Sequence, residues 1–263
     1  MAQSPQLKPP SRALLALEGR AVLELGWFWQ SLPILRLAKR GDGHPVLVLP
    51  GFTASDVSTA ALRWYLNDRG YAAFGWNLGR NLGLRAGIEP RMLRRLRNLH
   101  WRSGKKVSLI GWSLGGIYAR ELARQHPEQV RQVITLGTPF NLSSKANHAW
   151  RLYERLSGET VDSQQHLLEL LRAPLPVPTT AVYSRSDGVV AWQTCLEDEG
   201  REQTENIEVP SSHCGFGHNP VVLYVIADRL AQPEDDWRPF DRRGLRRLVY
   251  PKAASSPEEA LAS

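Results

Sequence analysis

The chain has 263 residues, an apolar fraction of 42%, nine tryptophans and a formal net charge of +7. That is enough chain and enough apolar side chain for one large α/β domain, and the composition is that of a soluble globular protein. Two cysteines, Cys195 and Cys214, exclude a disulfide-rich secreted scaffold, although composition alone leaves open whether they pair.

Met1 to Pro10 carry one lysine and three prolines, and the apolar stretch after them is broken by Glu18, Arg20 and Glu24. This argues against an export signal and a membrane span, and makes the cytoplasm the expected location. Residues 1–11 read as disordered. From Arg12 to Gln30 the spacing predicts an amphipathic helix with Leu14, Leu17, Ala21, Leu25 and Phe28 on one stripe. Its aromatic end, Gly26-Trp27-Phe28-Trp29, has two readings. It is either a helix laid on the domain surface or a patch making peripheral contact with a membrane or a partner.

Residues 43–230 form the expected core. Gly43 to Phe52 contains a short Val/Leu run of the kind buried on both faces of a parallel sheet, and it stops at Pro50-Gly51. Ser55 and Asp56 are placed to cap a helix reaching about Asn67, and Tyr71 to Trp76 is the next strand. Arg91 to Lys106 holds seven Lys/Arg, but Leu93, Leu96 and Leu99 recur at helical spacing. The cations therefore read as the wet face of a packed helix, and no nucleic-acid partner is expected. Val107 to Gly111 is a strand, Leu114 to Gln125 a helix, Val130 to Leu136 a strand. After them come strands at Thr179 to Tyr183 and about Asn206 to Val209, and a helix at Pro220 to Leu230. Such alternation predicts an α/β fold with a mostly parallel sheet covered by helices. It lapses at about 141–178, where two short helices, Lys145 to Leu156 and Ser163 to Leu171, suggest a small cap over the carboxyl ends of the strands. Residues 1–42 are then an N-terminal tail and helix, and 231–263 an extension expected to be disordered beyond Pro251.

The chemistry centres on Gly111-Trp112-Ser113-Leu114-Gly115, a Gly-x-Ser-x-Gly pattern between a strand and a helix. A serine at the tip of so sharp a turn needs small neighbours two residues away on either side, and the helix N-terminus behind it favours developing negative charge. Serine becomes nucleophilic when a base takes its proton, and the base is held in the right tautomer by a carboxylate. Downstream, Asp187 and His213 each follow a strand, which brings them to the same edge of the sheet as Ser113. His218, Asp162 and Glu197 to Glu199 are weaker rivals. The N–H groups of Phe52 and Leu114 are the candidate oxyanion donors. Phe52, Trp112, Phe140 and Phe216 flank these positions and are candidate lining for an apolar acyl group. No His/Cys/Asp cluster has metal-ligand spacing, so no metal site is expected.

Leu49-Pro50-Gly51-Phe52, Gly111 to Gly116, Ser186-Asp187-Gly188-Val189-Val190 and Ser212-His213 together resemble the α/β-hydrolase superfamily. Within it the likeness is to the bacterial lipase/esterase-like members, over about residues 43–230. The resemblance implies a cofactor-free serine esterase acting on a small-molecule ester through an acyl-enzyme, with Ser113, Asp187 and His213 in the family's order. Two departures stand out. Pro50-Gly51 replaces the His-Gly of many relatives, and a helix at 12–30 stands where antiparallel strands usually open the fold. An acyltransferase with the same triad, and a binding module that merely kept the fold, are the competing readings.

Overall fold

A computed structural model describes residues 7–83, 85, 87–141, 147, 172–198 and 202–254. Six parallel strands form one sheet: β1 (Pro45–Leu49), β2 (Ala72–Gly75), β3 (Val107–Trp112), β4 (Val130–Leu136), β5 (Thr179–Tyr183) and β6 (Thr204–Glu208). Their spatial order is β2-β1-β3-β4-β5-β6. The chain therefore leaves β1 toward one edge and returns through β3 toward the other. The carboxyl ends of β1 and β3 thus flank the point where the order reverses, the usual crevice for a ligand in an open α/β sheet.

Alternation along each strand sends successive side chains to opposite faces. Val46, Val48, Ile110 and Ile134 join one apolar cluster with Leu62, Tyr65 and Leu66 of α3 (Ala60–Asp68) and with Val222, Leu223 and Ile226 of α6 (Pro220–Leu230). Leu47, Leu49, Leu109 and Val133 join the other with Met92, Leu96 and Leu99 of α4 (Ile88–Ser103) and with Tyr118, Ala119 and Leu122 of α5 (Leu114–Gln125). Burial on both faces explains why β1, β3, β4 and β5 read as unbroken runs instead of alternating ones. As expected from their spacing, Arg91, Arg94 and Arg97 lie on the exposed side of α4.

The N-terminal segment departs from its predicted pattern. The helix is split into α1 (Arg12–Ala16) and α2 (Ala21–Leu35) by a 3-10 turn at Leu17–Arg20, and it continues past Gln30. Of the expected stripe only Phe28 is fully buried, while Leu17 and Leu25 are exposed. The buried positions are Glu18, Glu24, Phe28 and Leu35. A 3-10 turn advances each side chain by more than an α-helical step, so the periodicity of a continuous helix does not carry through it.

Two further expectations are corrected. Asp56 does not cap α3: its carboxylate accepts the N–H groups of Trp76 and Asn77, each at 3.0 Å, and so binds the end of β2. Of the segment expected to be disordered beyond Pro251, Ala253 and Ala254 pack against the Tyr183 cluster, Ala254 N–H donating to Tyr183 Oη at 2.8 Å, and residues 255–263 lie outside the described residues. Before Pro251, Tyr250 stacks on Tyr224 of α6 and Phe240 meets that ring edge-on. The expected cap helices between 145 and 171 lie outside the described residues.

Arg120 on α5 is wholly buried, forms an ion pair with Glu197, and lies over the Phe140 ring at 3.8 Å from the centroid. Removing one partner of a buried pair strands the other charge away from water. Glu197→Ala should therefore cost about 3–5 kcal/mol of folding free energy, read as a fall in the urea midpoint at unchanged slope.

Candidate functional site

β3 ends in Ser113, the residue before the first turn of α5, with φ 52° and ψ −122°. Few non-glycine residues occupy this region, and it persists only where the surroundings over-determine it. Ser113 N–H donates to Leu136 O at 2.8 Å, and Gly116 N–H donates to Ser113 O at 2.9 Å. The glycines make the turn sterically possible. A Cβ on Gly111 would collide with the backbone of Gly115 and Gly116, one on Gly115 with the carbonyls of Leu49 and Pro50, and one on Gly116 with the Thr138 side chain. The end of β1 comes equally close, since a Cβ on Gly51 would lie 3.3 Å from Ser113 Cβ.

The candidate acid and base stand together. Asp187, in the loop after β5, is 3% exposed. Its Oδ1 accepts the N–H groups of Val189 and Val190, each at 2.8 Å, and its Oδ2 lies 2.6 Å from His213 Nδ1. The same pair closes on the end of β4, for a Cβ on Gly137 would sit 3.1 Å from both Asp187 Oδ2 and His213 Nδ1. His213 is tied to the elbow through its backbone, its carbonyl accepting the indole N–H of Trp112, Ser113's neighbour, at 3.0 Å.

The rivals are engaged elsewhere. His218 Nε2 lies 2.8 Å from Ala21 O, and Glu197 pairs with Arg120. Asp162 and Glu199 lie outside the described residues. Of the four aromatic candidates for an acyl pocket, Phe140 and Phe216 are wholly buried and Trp112 nearly so, whereas Phe52 is half-buried. Phe216 packs edge-on to the His213 ring with centroids 6.1 Å apart. Cys195 is buried, Cys214 exposed, and neither is in a disulfide. Among the described residues no group of His, Cys, Asp and Glu is arranged to hold a metal ion.

A family model of the alpha/beta hydrolase fold matches residues 90–168. No curated protein sequence matches the chain. Among solved structures, Aspergillus fumigatus lipase B is similar with a TM-score of 0.57 at 16% identity, over 75% of this chain and 57% of that one. The mature form of Bacillus licheniformis lipase BlEst2 gives a TM-score of 0.55 at 18% identity, over 73% and 94% of the two chains. A Paleococcus ferrophilus monoacylglycerol lipase gives 0.54 at 14%, over 74% and 96%. This chain thus spans little more than half the length of the Aspergillus lipase. The chain has the α/β-hydrolase fold.

Two features of this candidate site carry no clear signal in the sequence. Fully buried Asn81 staples the loop after β1: its side chain donates to Pro50 O at 2.8 Å, its carbonyl accepts Thr53 N–H at 2.6 Å, and its N–H donates to Ala54 O at 2.8 Å. Asn-Leu-Gly in a loop is compatible with many turns, and only the return of that loop onto the end of β1 gives Asn81 its partners. Glu18, Arg20 and Glu24 also reach the acid and base loops. They were read as charges interrupting an apolar helix, which was the one available signal.

A second Ser–His–Asp array lies at the opposite end of the sheet. His44 Nδ1 is 2.5 Å from Asp42 Oδ1 and His44 Nε2 is 2.8 Å from Ser108 Oγ. His44 and Ser108 are both fully buried, Ser108 within regular strand β3, so nothing can approach the hydroxyl. Burial lowers the pKa of His44 despite Asp42, with Arg131 and Lys105 adding to the effect.

His213 behaves oppositely. Burial works against its charged form, but the Asp187 carboxylate, and Glu18 behind it, outweigh that penalty and raise its pKa. An NMR pH titration of the imidazole should give a midpoint above the ordinary histidine value of about 6.5. Asp187→Asn should move that midpoint down, since the proton loses its nearest countercharge.

Proposed function

We propose that the protein is a serine hydrolase that cleaves carboxylic esters with apolar acyl groups. The observation that carries this reading is the buried Asp187–His213 pair at 2.6 Å, joined through the Trp112 indole on the His213 carbonyl to the neighbour of a serine held at positive φ between a strand and a helix. Asp187 Oδ2 accepts a hydrogen bond from Nδ1–H of His213, which leaves Nε2 of the neutral imidazole as the base. Ser113 Oγ attacks the ester carbonyl as its proton passes to His213. The tetrahedral oxyanion is held by the N–H groups of Phe52 and Leu114, a role that the closeness of Gly51 to Ser113 supports. His213 then protonates the departing alkoxide, leaving an acyl-enzyme. Water, deprotonated by His213, releases the acid and restores Ser113. No cofactor takes part in these steps. Of the aromatic candidates, half-buried Phe52 is the one suited to meet the acyl chain. The three similar solved structures described above carry the word lipase in their names, which supports a lipid-like ester as substrate.

A fluorophosphonate probe should label the wild type but neither Ser113→Ala nor His213→Ala, and should label Ser108→Ala as it does the wild type. Each of the first two variants should lower kcat on p-nitrophenyl esters by on the order of 10⁴–10⁶. An unlabelled, folded wild type would sink the reading. Products appearing on an added alcohol instead of water would turn it into acyl transfer.

The N-terminal helix supports a second contact, with an anionic membrane surface. Leu23, Trp27 and Ile34 lie along the outward side of α2, with Val22 and Trp29 beside them; Leu23 is 76% and Ile34 69% exposed. Exposed Lys39 and Arg40 follow directly, which suits negatively charged headgroups. Among the described residues no helix is long and apolar enough to cross a membrane. Co-sedimentation with phosphatidylserine-containing vesicles should be strong at low salt and weak at high salt, and Leu23→Glu with Ile34→Glu should abolish it.

A further inference from the structure

The proposed chemistry requires nothing ahead of β1, yet both catalytic loops are gripped from that side. Glu18, in the 3-10 turn between α1 and α2, accepts Gly188 N–H at 2.7 Å and His213 N–H at 2.9 Å on Oε1, and Cys214 N–H at 2.8 Å on Oε2. Glu24, in the first turn of α2, accepts Ser212 N–H at 2.9 Å and Ser212 Oγ–H at 2.7 Å. Between them Arg20 donates to Ser186 O at 2.7 Å, Ser186 Oγ at 2.8 Å and Ser211 O at 3.0 Å. One short segment therefore joins the loop that carries Asp187 to the loop that carries His213.

The fit is close. A Cβ on Gly188 would collide with Leu14 O, and one on Gly215 with the Glu24 carboxylate. Glu18 and Glu24 are only 9% and 7% exposed. Buried carboxylates are costly unless they are well supplied with donors, and here five N–H and O–H groups, all from the acid and base loops, face them.

We propose that Glu18, braced by Glu24, is a positioning residue for the reaction: it fixes the His213 backbone against the Asp187 loop and sets a second negative charge behind the imidazole. The inference rests on the serine-hydrolase reading. When His213 takes the Ser113 proton, the new positive charge is met by Asp187 in front and Glu18 behind. Burial alone would raise the Glu18 pKa, but the N–H groups of Cys214, His213 and Gly188 bring it below the usual glutamate value, so the carboxylate is ionised where the reaction runs. Among the described residues the other ionisable groups at the two loops are Glu24, Arg20, Arg185, which is ion-paired with Glu208, His218, which is held on Ala21 O, and the Cys214 thiol. Although part of Cys214 is exposed, desolvation on its inner side and then the Glu18 charge push that thiol up to about 12.

The test is Glu18→Gln in the full chain, which keeps size and one acceptor oxygen but removes the charge. The rate rises with pH as His213 loses its proton, so losing the Glu18 charge should shift this limb to lower pH. The plateau kcat/KM should fall on the order of tenfold. The NMR midpoint of His213 should fall with it. A merely structural defect would lower the whole profile without moving it. A folded Glu18→Gln protein with a wild-type profile and midpoint overturns the proposal. Should that variant not fold, Glu24→Gln leaves the three Glu18 bonds in place and should lower kcat several-fold at unchanged KM; a wild-type kcat there overturns it equally. The His213 midpoint needs no substrate. If the wild type neither labels nor turns over ester, the hydrolase reading fails while the clamp is still read by that midpoint.

Discussion

The structure depends on one strained turn. Ser113 sits at a backbone conformation that costs a non-glycine residue about 1–3 kcal/mol, and the surrounding chain leaves it no alternative. β3 is hydrogen-bonded to β1 on one side and β4 on the other, and Ser113 itself bonds back to the last residue of β4. α5 begins at the next residue and must lie across the ends of β1 and β3, which is why Gly115 touches the carbonyls of Leu49 and Pro50. The strand order reverses at this point, so the strain lies at the sheet edge where open α/β sheets ordinarily take their ligands.

The two Ser–His–Asp arrays show what the residue types alone do not confer. Asp42, His44 and Ser108 are bonded in the same sequence of contacts as a catalytic triad, at the amino ends of β1 and β3. There the serine is part of a regular strand and the histidine is sealed from solvent. The array serves as a polar tie within the sheet, with Arg131 completing it through Asp42 at 2.7 Å. At the carboxyl end, strained Ser113 is only half-buried, and His213 lies under two carboxylates that favour its charged form. Access and electrostatic surroundings separate the two sets.

The N-terminal segment inverts the usual amphipathic arrangement. Its polar side chains face inward, where the acid and base loops offer unsatisfied N–H groups, and much of its apolar surface faces out. A helix apolar around most of its circumference is ordinarily buried. Here α2 carries both the exposed Leu23–Ile34 surface and Glu24, and the turn just before it carries Glu18 on the Asp187 and His213 loops.

The strands from β1 to β5, the helices α5 and α6, the elbow, and the pairing of Asp187 with His213 were all legible in the sequence. Their signals are local: unbroken apolar runs, a glycine pattern at a strand end, caps and prolines at helix ends. Tertiary structure alone decided the rest. Which face of residues 12–35 is buried depended on N–H donors nearly two hundred residues away, and no periodicity within the helix records them. Asp56 abandoned its predicted cap for the end of β2, and Asn81 became a staple, because loops distant in sequence met there. The sequence by itself determined the elements and the residue types at the site, since backbone propensity and patterning act over a few residues. Only the fold determined what each charge faces, because partners of buried charges are chosen by proximity in space.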